Sequence, residues 1–246
     1  MSKKLRSKIF QFAILILIFF ISVFLFMHSA FFEIDKITIT GLEKLTKEEV
    51  LKLSELKTGV NIFRIDEQFM CRTVEIHPLI KSAKVIRHLP RTVEMQVEER
   101  KIWALVPYQD MFLCIDNEGI CIDKINSFSF ASYLIITLDT LPERVNIGQA
   151  VHAEGIGKIR QVWEALSPEN RKKISDFHYI SNNKEIVIYT ARGTQVKFGK
   201  MERLAEKAEF FNQIFIMEDD LQKAGVEELE YVDLRFKGQP VVKTRS

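Results

Sequence analysis

The chain has 246 residues, 47% of them hydrophobic and 28% charged, with a formal net charge of +2. This composition suits one or two folded domains and contains no low-complexity region. The first eight residues contain four lysines or arginines and no acidic residue. The remaining 238 residues therefore have 31 basic and 33 acidic residues, a net charge of about −2. A nearly neutral bulk gives no electrostatic reason to expect nucleic-acid binding.

Residues 9–27 carry no charge, and only Gln11 and Ser22 interrupt their apolar character. At about 1.5 Å per residue, a helix of this length crosses a hydrocarbon core of roughly 30 Å. The basic residues before it, in the predicted cytoplasmic tail 1–8, favour an N-terminus in the cytoplasm by the positive-inside rule. We therefore expect a single-pass inner or plasma membrane protein with residues 28–246 outside.

Two other interpretations of this apolar stretch are less consistent with the sequence. A cleaved signal peptide has a shorter apolar core and a small-x-small cleavage site, whereas His28 stands where a small residue is needed. A buried core helix would be amphipathic or shorter, and would not begin directly behind a basic cluster.

The next stretch alternates as a β-strand does and closes at Gly41. Thr46 and Glu49 then form a capping-box pattern that predicts the start of a helix. Asp66 is placed to cap a second helix, which should run to about Ile76 and stop before a proline.

Residues 83–89 and 92–99 have the pattern of two further strands. The order β-α-α-β-β predicts a small α+β module over residues 32–100, with both helices covering a sheet. Between the helices the chain must turn at Gly59, where we expect a conformation that a side chain disfavours.

Five short patterns in this region resemble one known family. They are ITITG at 37–41, GxNIFxID at 59–66, HPxIxxAxV at 77–85, LPxTV at 89–93 and EER at 98–100. In this order, behind one membrane helix, the series resembles the POTRA domain of the bacterial FtsQ/DivIB family.

Residues 101–246 are predicted to form a mixed β-rich domain with two helices, at about 155–166 and 201–223. The strands are expected at 103–107, 111–115, 119–123, 133–138, 174–180, 185–190, 194–198, 228–236 and 240–243. The patterns VKFGK at 196–200 and YVDLRF at 231–236 resemble the second domain of the same family. The apolar stripe of the longer helix, which includes Phe211 and Phe215, is expected to lie in the core.

The residues predict neither a catalytic centre nor a metal site, and we expect no cofactor. No CxxC or HExxH spacing occurs among the cysteines and histidines, and no nucleophile motif is present. Cys114 and Cys121 flank a predicted hairpin turn, and two buried thiols are favoured over a disulfide. We therefore expect a binding protein rather than an enzyme, with no small-molecule substrate.

The last strand of a β-rich domain has an open edge unless another segment covers it. The resemblance implies that this edge receives a strand of FtsB, so that the protein holds the FtsB–FtsL pair, while the POTRA domain contacts other division proteins. It also implies a basic residue at the position of Lys200, where many relatives have arginine. The predicted partner-binding residues are Lys200, Arg235, Phe236, Lys237, Gly238 and Val241, with Gln239 flanking the edge.

Two alternatives to a divisome scaffold at the division septum would require features that the sequence does not offer. A peptidoglycan-acting envelope enzyme would need clustered carboxylates or histidines, for which the sequence offers no candidate set. A POTRA chaperone for outer-membrane proteins usually has repeated POTRA units or a barrel, whereas one unit is evident here. In a purely structural interpretation, Lys237, Lys243 and Arg245 only protect the edge from aggregation.

Overall fold

The computed structural model describes residues 3–127, 133–225 and 228–245. The first two residues of the predicted cytoplasmic tail, part of the predicted second domain and the C-terminal residue lie outside the described residues. The chain divides into two compact units, Met1–Glu99 and Arg100–Ser246.

The first unit begins with a long apolar helix, α1, over Lys3–Met27. Its stretch Phe10–Met27 has a mean hydropathy of 2.8, and none of it is buried within the protein. An α-helix satisfies its backbone hydrogen bonds internally, so an apolar helix of this length can lie in lipid. In the part of the chain that the structure describes, α1 is the one helix long and apolar enough to cross a membrane.

The remainder of the first unit has the predicted β-α-α-β-β order. Its elements are β1 (Lys36–Thr40), α2 (Lys47–Ser54), α3 (Glu67–Glu75), β2 (Ile80–His88) and β3 (Thr92–Glu99), and one turn of 3-10 helix over Ala30–Phe32 precedes them. The sheet order is β1-β3-β2, with β1 parallel and β2 antiparallel to β3. The predicted α+β fold is confirmed.

Both helices start as their sequences predict. Thr46 accepts a hydrogen bond from the Glu49 amide and Glu49 accepts one from the Thr46 amide, which completes the capping box of α2. Asp66 caps α3 by accepting a hydrogen bond from the Phe69 amide at 3.0 Å. The strand β2 begins three residues earlier than predicted because a tight turn, closed by the bond from the Ile80 amide to the His77 carbonyl, follows α3 directly.

The carboxylate of Glu99 organises the loop between β1 and α2. It is buried at the end of β3 and accepts hydrogen bonds from the amides of Glu43, Lys44 and Leu45 at 2.9–3.1 Å. Burial acts to raise the pKa of Glu99, but these three amide hydrogen bonds outweigh it and the pKa lies below its usual value.

We predict that Glu99→Gln destabilises the first unit by about 1–2 kcal/mol near neutral pH, because a charged acceptor is lost. The folded-state pKa of Glu99 is depressed, so its contribution is present above the unfolded pKa of about 4.3 and is lost as the pH falls through the folded pKa. Thermal unfolding measured against pH should show the two proteins converging in acid.

The neighbouring variant Glu98→Gln is the control, since Glu98 contacts Lys81 on the surface. A surface pair of this kind contributes little. An equal loss from Glu98→Gln and Glu99→Gln would contradict a specific role for the buried carboxylate.

Gly59 adopts the predicted backbone conformation, with φ of +81°. Its amide donates to the Ile34 carbonyl at 2.8 Å, and the Ile34 amide donates to the Val60 carbonyl at 2.9 Å. No atom lies within 4 Å of the position that a Cβ would occupy. The constraint at Gly59 is therefore its backbone conformation and not lack of space.

We predict that Gly59→Val lowers the free energy of unfolding by more than about 1 kcal/mol, because a β-branched residue is strained at this φ. The control is Gly157→Ala in a helix interior, where the added methyl also meets open space. That change should be neutral or stabilising by up to about 1 kcal/mol. Equal melting temperatures for wild type and Gly59→Val would remove the argument.

The second unit is built on a mixed sheet. Its strands are β4 (Ala104–Tyr108), β5 (Met111–Ile115), β6 (Cys121–Ile125), β7 (Leu134–Leu138), β8 (Ile174–Ile180), β9 (Glu185–Thr190), β10 (Gln195–Gly199), β11 (Leu229–Asp233) and β12 (Val241–Thr244). Among the described residues their order is β12-β11-β10-β9-β8-β7-β4-β5-β6.

The helices of the second unit are α4 (Ala153–Ala165), α5 (Pro168–Arg171) and α6 (Leu204–Ala224). The four-residue α5 was not predicted, because one capped turn has no apolar periodicity to detect. The prediction also began α6 too early. Arg203, immediately before the helix, has φ of +56°, which is incompatible with a continuing helix.

The apolar stripe of α6 is buried as predicted, with Phe211 and Phe215 in the core against the sheet. Cys114 and Cys121 are both buried thiols rather than a disulfide. The strand register places Cys121 opposite Ile115 and Cys114 opposite Asp123, with an irregularity between them. The favoured of the two alternatives is therefore confirmed.

Candidate partner-binding site at the C-terminal sheet edge

The strand β12 lies at one end of the sheet and pairs antiparallel with β11. All four of its side chains are exposed. No described strand pairs with its other side, so this is an open edge of the kind that a partner strand can extend.

Two hydrogen bonds fix which amides face outward. The Leu234 amide donates to the Lys197 carbonyl on β10, so the alternate residues Tyr231 and Asp233 point their backbone groups toward β12. Their partners there are Lys243 and Val241. The backbone groups of Val241 and Lys243 are therefore used within the protein.

The second observation agrees with the first. The Arg245 amide donates to the Glu228 carbonyl at 2.7 Å, and backbone groups alternate sides along a strand. The outward groups are thus those of Val242 and Thr244. Val241 was predicted to line the edge, but its amide faces β11; a partner strand would meet the amides of Val242 and Thr244 instead.

The opposite end of the sheet is covered differently. The Cys121 amide donates to the Gln149 carbonyl and the Gly148 amide donates to the Cys121 carbonyl, at the start of β6. The loop around residues 148–150 therefore occupies part of that edge. Of the two ends of the described sheet, β12 has the more available backbone.

Arg235 is held beside the edge by Asp233. Its guanidinium binds both carboxylate oxygens: Nε donates to Oδ1 at 3.0 Å and to Oδ2 at 3.2 Å, and Nη2 donates to Oδ2 at 2.6 Å. Hydrogen bonding to Arg235 lowers the pKa of Asp233, and burial opposes this only in part, so the pKa lies below its usual value. Gly199, with φ of +73°, lets the Arg235 stem pass close by, since a Cβ there would lie 2.7 Å from Arg235 Cγ.

Arg203 clamps the segment that follows β11. Its Nη2 donates to the carbonyls of Leu234, Arg235 and Phe236 at 2.8–3.2 Å. Sequence reasoning missed Arg203 because it had placed this residue inside a helix, where its side chain had no evident role. The observed conformation at the helix start aims the guanidinium at the carbonyls of residues 234–236.

Lys207 fixes the other segment of the site. Its side chain is buried, and its Nζ donates to the carbonyls of Phe198 at 2.7 Å and Lys200 at 2.8 Å. Burial and the nearby charge of Arg203 lower the pKa of Lys207. Lys207 therefore holds the chain where β10 ends, by binding the backbone on both sides of Gly199.

We predict that Lys207→Met lowers the free energy of unfolding by about 1–3 kcal/mol, because two carbonyls lose their donor. The control is Lys200→Met, since the Lys200 side chain is exposed and only its carbonyl is held. Thermal melts of both variants check this. Melting of Lys207→Met at the wild-type temperature would show that the two bonds contribute nothing.

The start of α6 thus gathers three of the predicted residues. Lys200 and Phe236 are exposed, and each is tied through its own carbonyl to Lys207 or Arg203. The Arg235 side chain lies against Gly199, which directly precedes Lys200 in the chain. The remaining predicted residues, Lys237, Gly238 and Gln239, lie in the exposed connection from β11 to β12.

The outward face of the edge has a second feature that sequence reasoning missed. The Lys197 ammonium lies 3.8 Å from the centroid of the Tyr231 ring, and Lys243 lies 5.9 Å from it. Lys243 also pairs with Glu230 at 2.7 Å, and this hydrogen bond raises the pKa of Lys243. Only the strand register brings these residues together.

The structure also contains a cavity of about 260 Å³ beside α6, lined by Arg192, Thr194, Glu218, Leu221, Gln222, Glu228 and Leu229. The Glu218 carboxylate there accepts hydrogen bonds from the hydroxyls of Thr190 and Thr194. Both hydroxyls thus donate to a carboxylate within the core. In the described part of the chain, no three metal-ligating side chains cluster.

Comparison with family models now identifies the two units. The FtsQ-type POTRA domain matches residues 32–100, and the C-terminal domain of cell division proteins FtsQ and DivIB matches residues 104–235. This chain belongs to the FtsQ/DivIB family of cell division proteins.

Individual relatives are similar over most of the chain. The cell division protein DivIB of Clostridium botulinum (strain Loch Maree / Type A3) is 28% identical, over 97% of this chain and 93% of the relative. The cell division protein FtsQ of Myxococcus fulvus is 22% identical over 71% of this chain and 63% of the relative.

A solved structure is also similar in part. It is the major extracytoplasmic domain of the trans isomer of DivIB from Geobacillus stearothermophilus, with 11% identity and a TM-score of 0.33. The match covers 51% of this chain and 97% of that domain.

Proposed function

We propose that this FtsQ/DivIB protein is a non-enzymatic scaffold of the divisome that holds an FtsB-like protein, together with its FtsL-like partner, at the β12 edge. The α1 helix anchors the protein in the membrane with its N-terminus in the cytoplasm. Residues 32–100 and 101–246 act as separate domains on the other side, at the division septum, and the POTRA domain contacts other division proteins.

The open backbone of β12 is the observation that carries this proposal. Main-chain hydrogen bonds to the groups of Val242 and Thr244 would provide much of the affinity, while neighbouring side chains would select the partner. The β12 strand has only four residues, and the exposed ring of Phe236 lies five residues before it in the chain. Phe236 is 63% exposed, and the ring gains by burial against a partner.

The charge of the site favours an acidic group on the partner. The cations of Lys200 and Arg235 are both exposed, and the Arg235 guanidinium lies 5.9 Å from the centroid of the Phe236 ring. Asp233 already binds Arg235 through both carboxylate oxygens, which leaves Lys200 as the more available cation. Lysine lacks the planar two-bond geometry of arginine, so this contact should be weaker than in relatives with arginine.

We predict that Val242→Pro abolishes measurable binding of the partner's extracytoplasmic segment to residues 32–246, because it removes a donor from the open edge. The matched control, Val242→Ala, keeps the amide and should bind within a few-fold of wild type. Val241→Pro should instead reduce stability, since its amide serves the β11 pairing. Calorimetric titration and thermal melts separate these effects.

The side chains provide a second arm of the same titration. Phe236→Ala should weaken binding by about 1–3 kcal/mol if the ring is covered. Lys200→Glu should weaken it more at low than at high salt, because an exposed charge pair is screened. Wild-type affinity for folded Val242→Pro, Phe236→Ala and Lys200→Glu together would contradict strand addition at this edge.

We predict that protease added to spheroplasts digests the chain beyond residue 30, since the basic residues before α1 favour retention of the N-terminus in the cytoplasm. Epitope tags at the two ends, followed by immunoblotting, provide the measurement. Protection of the C-terminal tag in intact spheroplasts, or a mature N-terminus near Phe31, would contradict the proposed topology.

A further inference from the structure

Three exposed apolar side chains lie on three connecting segments of the first unit, the 3-10 turn that follows α1 and two loops. Phe31 is 53% exposed, Val60 40% and Leu89 58%. Hydrophobic residues exposed singly need no explanation, but a group at one end of a domain indicates a contact surface.

Backbone hydrogen bonds place these loops at the same end. The Val60 carbonyl accepts from the Ile34 amide, and the Arg91 carbonyl accepts from the Asp35 amide, both at 2.9 Å. The loops that contain Val60 and Leu89 are therefore tied to the segment that directly follows Phe31. We name Phe31, Val60 and Leu89 the anchor-proximal surface.

The end of α1 is joined to this region through a buried asparagine. Asn61 Nδ2 donates to the Met27 carbonyl at 2.8 Å, and Asn61 Oδ1 accepts from the Phe63 amide at 3.0 Å. The Asn61 side chain thus bonds the last residue of the apolar helix and its own loop at once.

A chain of phenylalanine rings reinforces the joint. Phe26 at the end of α1 stacks with Phe31 at 5.6 Å between centroids and meets Phe32 edge-on at 5.2 Å. Phe32 in turn contacts Phe63 at 5.0 Å. Aromatic contacts at these separations are favourable, so the connection between helix and domain is packed rather than an extended linker.

The length of the apolar stretch sets the level of this joint in a bilayer. The 18 residues Phe10–Met27 span about 27 Å, close to the hydrocarbon thickness of roughly 30 Å. Met27 therefore lies near the hydrocarbon boundary. Asn61 contacts Met27 directly, so Val60 lies at the level of the headgroups, a layer about 5–8 Å thick on each side.

We propose that the anchor-proximal surface inserts into the headgroup and upper acyl region of the same membrane that α1 spans, and so fixes the POTRA domain against the bilayer. This inference rests on the membrane anchoring in the proposed function. The exposed charges on these segments are Lys36, Lys57, Arg64 and Arg91, against Asp35 and a half-buried Glu33. The proposed contact is made by the apolar side chains themselves, and comparison of neutral with anionic lipid separates it from attraction of the basic residues to headgroups.

The test uses the full chain in phosphatidylcholine nanodiscs with two kinds of brominated lipid, one brominated near the top of the acyl chain, at the depth of the anchor-proximal surface, and one near the end of the acyl chain, at the depth of Phe20. Tryptophan is introduced singly as Val60→Trp, Leu89→Trp, Ile76→Trp and Phe20→Trp, and the fluorescence of the unmodified protein is subtracted. We expect the first lipid to quench Val60→Trp and Leu89→Trp at least about twofold more than Ile76→Trp, because interfacial side chains contact this layer of the bilayer.

Ile76→Trp is a matched control in the same unit. Ile76 is 78% exposed and follows α3, whose end bonds to the Ala83 amide. Ala83 lies five residues along β2 from His88, so Ile76 is displaced by about 17 Å from the end of the sheet near Leu89. Phe20→Trp lies within the helix itself and reports anchoring.

The outcomes distinguish the two claims. Quenching of Phe20→Trp with no excess quenching at Val60→Trp and Leu89→Trp would overturn the docking and leave the anchor intact. Absence of quenching at Phe20→Trp would overturn both. Equal quenching of Val60→Trp in nanodiscs with and without phosphatidylglycerol would support apolar insertion, whereas quenching confined to anionic discs would contradict it.

Discussion

Pairing of backbone N–H and C=O groups away from water is the constraint on which this structure depends. The α1 helix meets it mainly through its own hydrogen bonds, which is why its apolar stretch Phe10–Met27 can stand outside the folded core. The two sheets meet it by strand pairing. Where the backbone is irregular, single side chains complete the pairing: Glu99 for the loop after β1, Lys207 and Arg203 for the segments beside α6.

Against this background β12 is unusual, because the outward groups of Val242 and Thr244 have no strand beside them among the described residues. The segments next to this edge are held firmly. Arg203 and Lys207 bind the carbonyls of residues 234–236, 198 and 200, so the exposed side chains are carried on an ordered backbone. A preorganised edge loses little conformational entropy when a partner strand is added.

Backbone pairing by a side chain also occurs at the end of α1. Asn61 satisfies the Met27 carbonyl, one of the last carbonyls of α1, which has no partner within the helix. The same contact brings a loop of the POTRA domain to the end of the apolar stretch. One hydrogen bond thus satisfies the end of the helix and holds the following loop against it.

The sequence by itself determined the elements whose signals are local. Each of these elements depends on residues that are close together in the chain, and each was predicted. They are the apolar run before Met27, the caps at Thr46 and Asp66, the turn at Gly59 and the buried stripe of α6. The α+β class was also predicted, because the order of helices and strands and the family patterns can both be read from local sequence. The basic and aromatic residues around Phe236 could also be named in advance.

Tertiary structure alone decided what depends on strand pairing. The sequence could not show that the Val242 and Thr244 amides face outward while that of Val241 faces β11, because register is set by contacts between distant segments. For the same reason it could not show that Arg203 reaches three carbonyls about thirty residues away, or that Lys197 and Lys243 meet over Tyr231. Local patterns specify which residues form a strand, and long-range packing specifies which of their groups remain available.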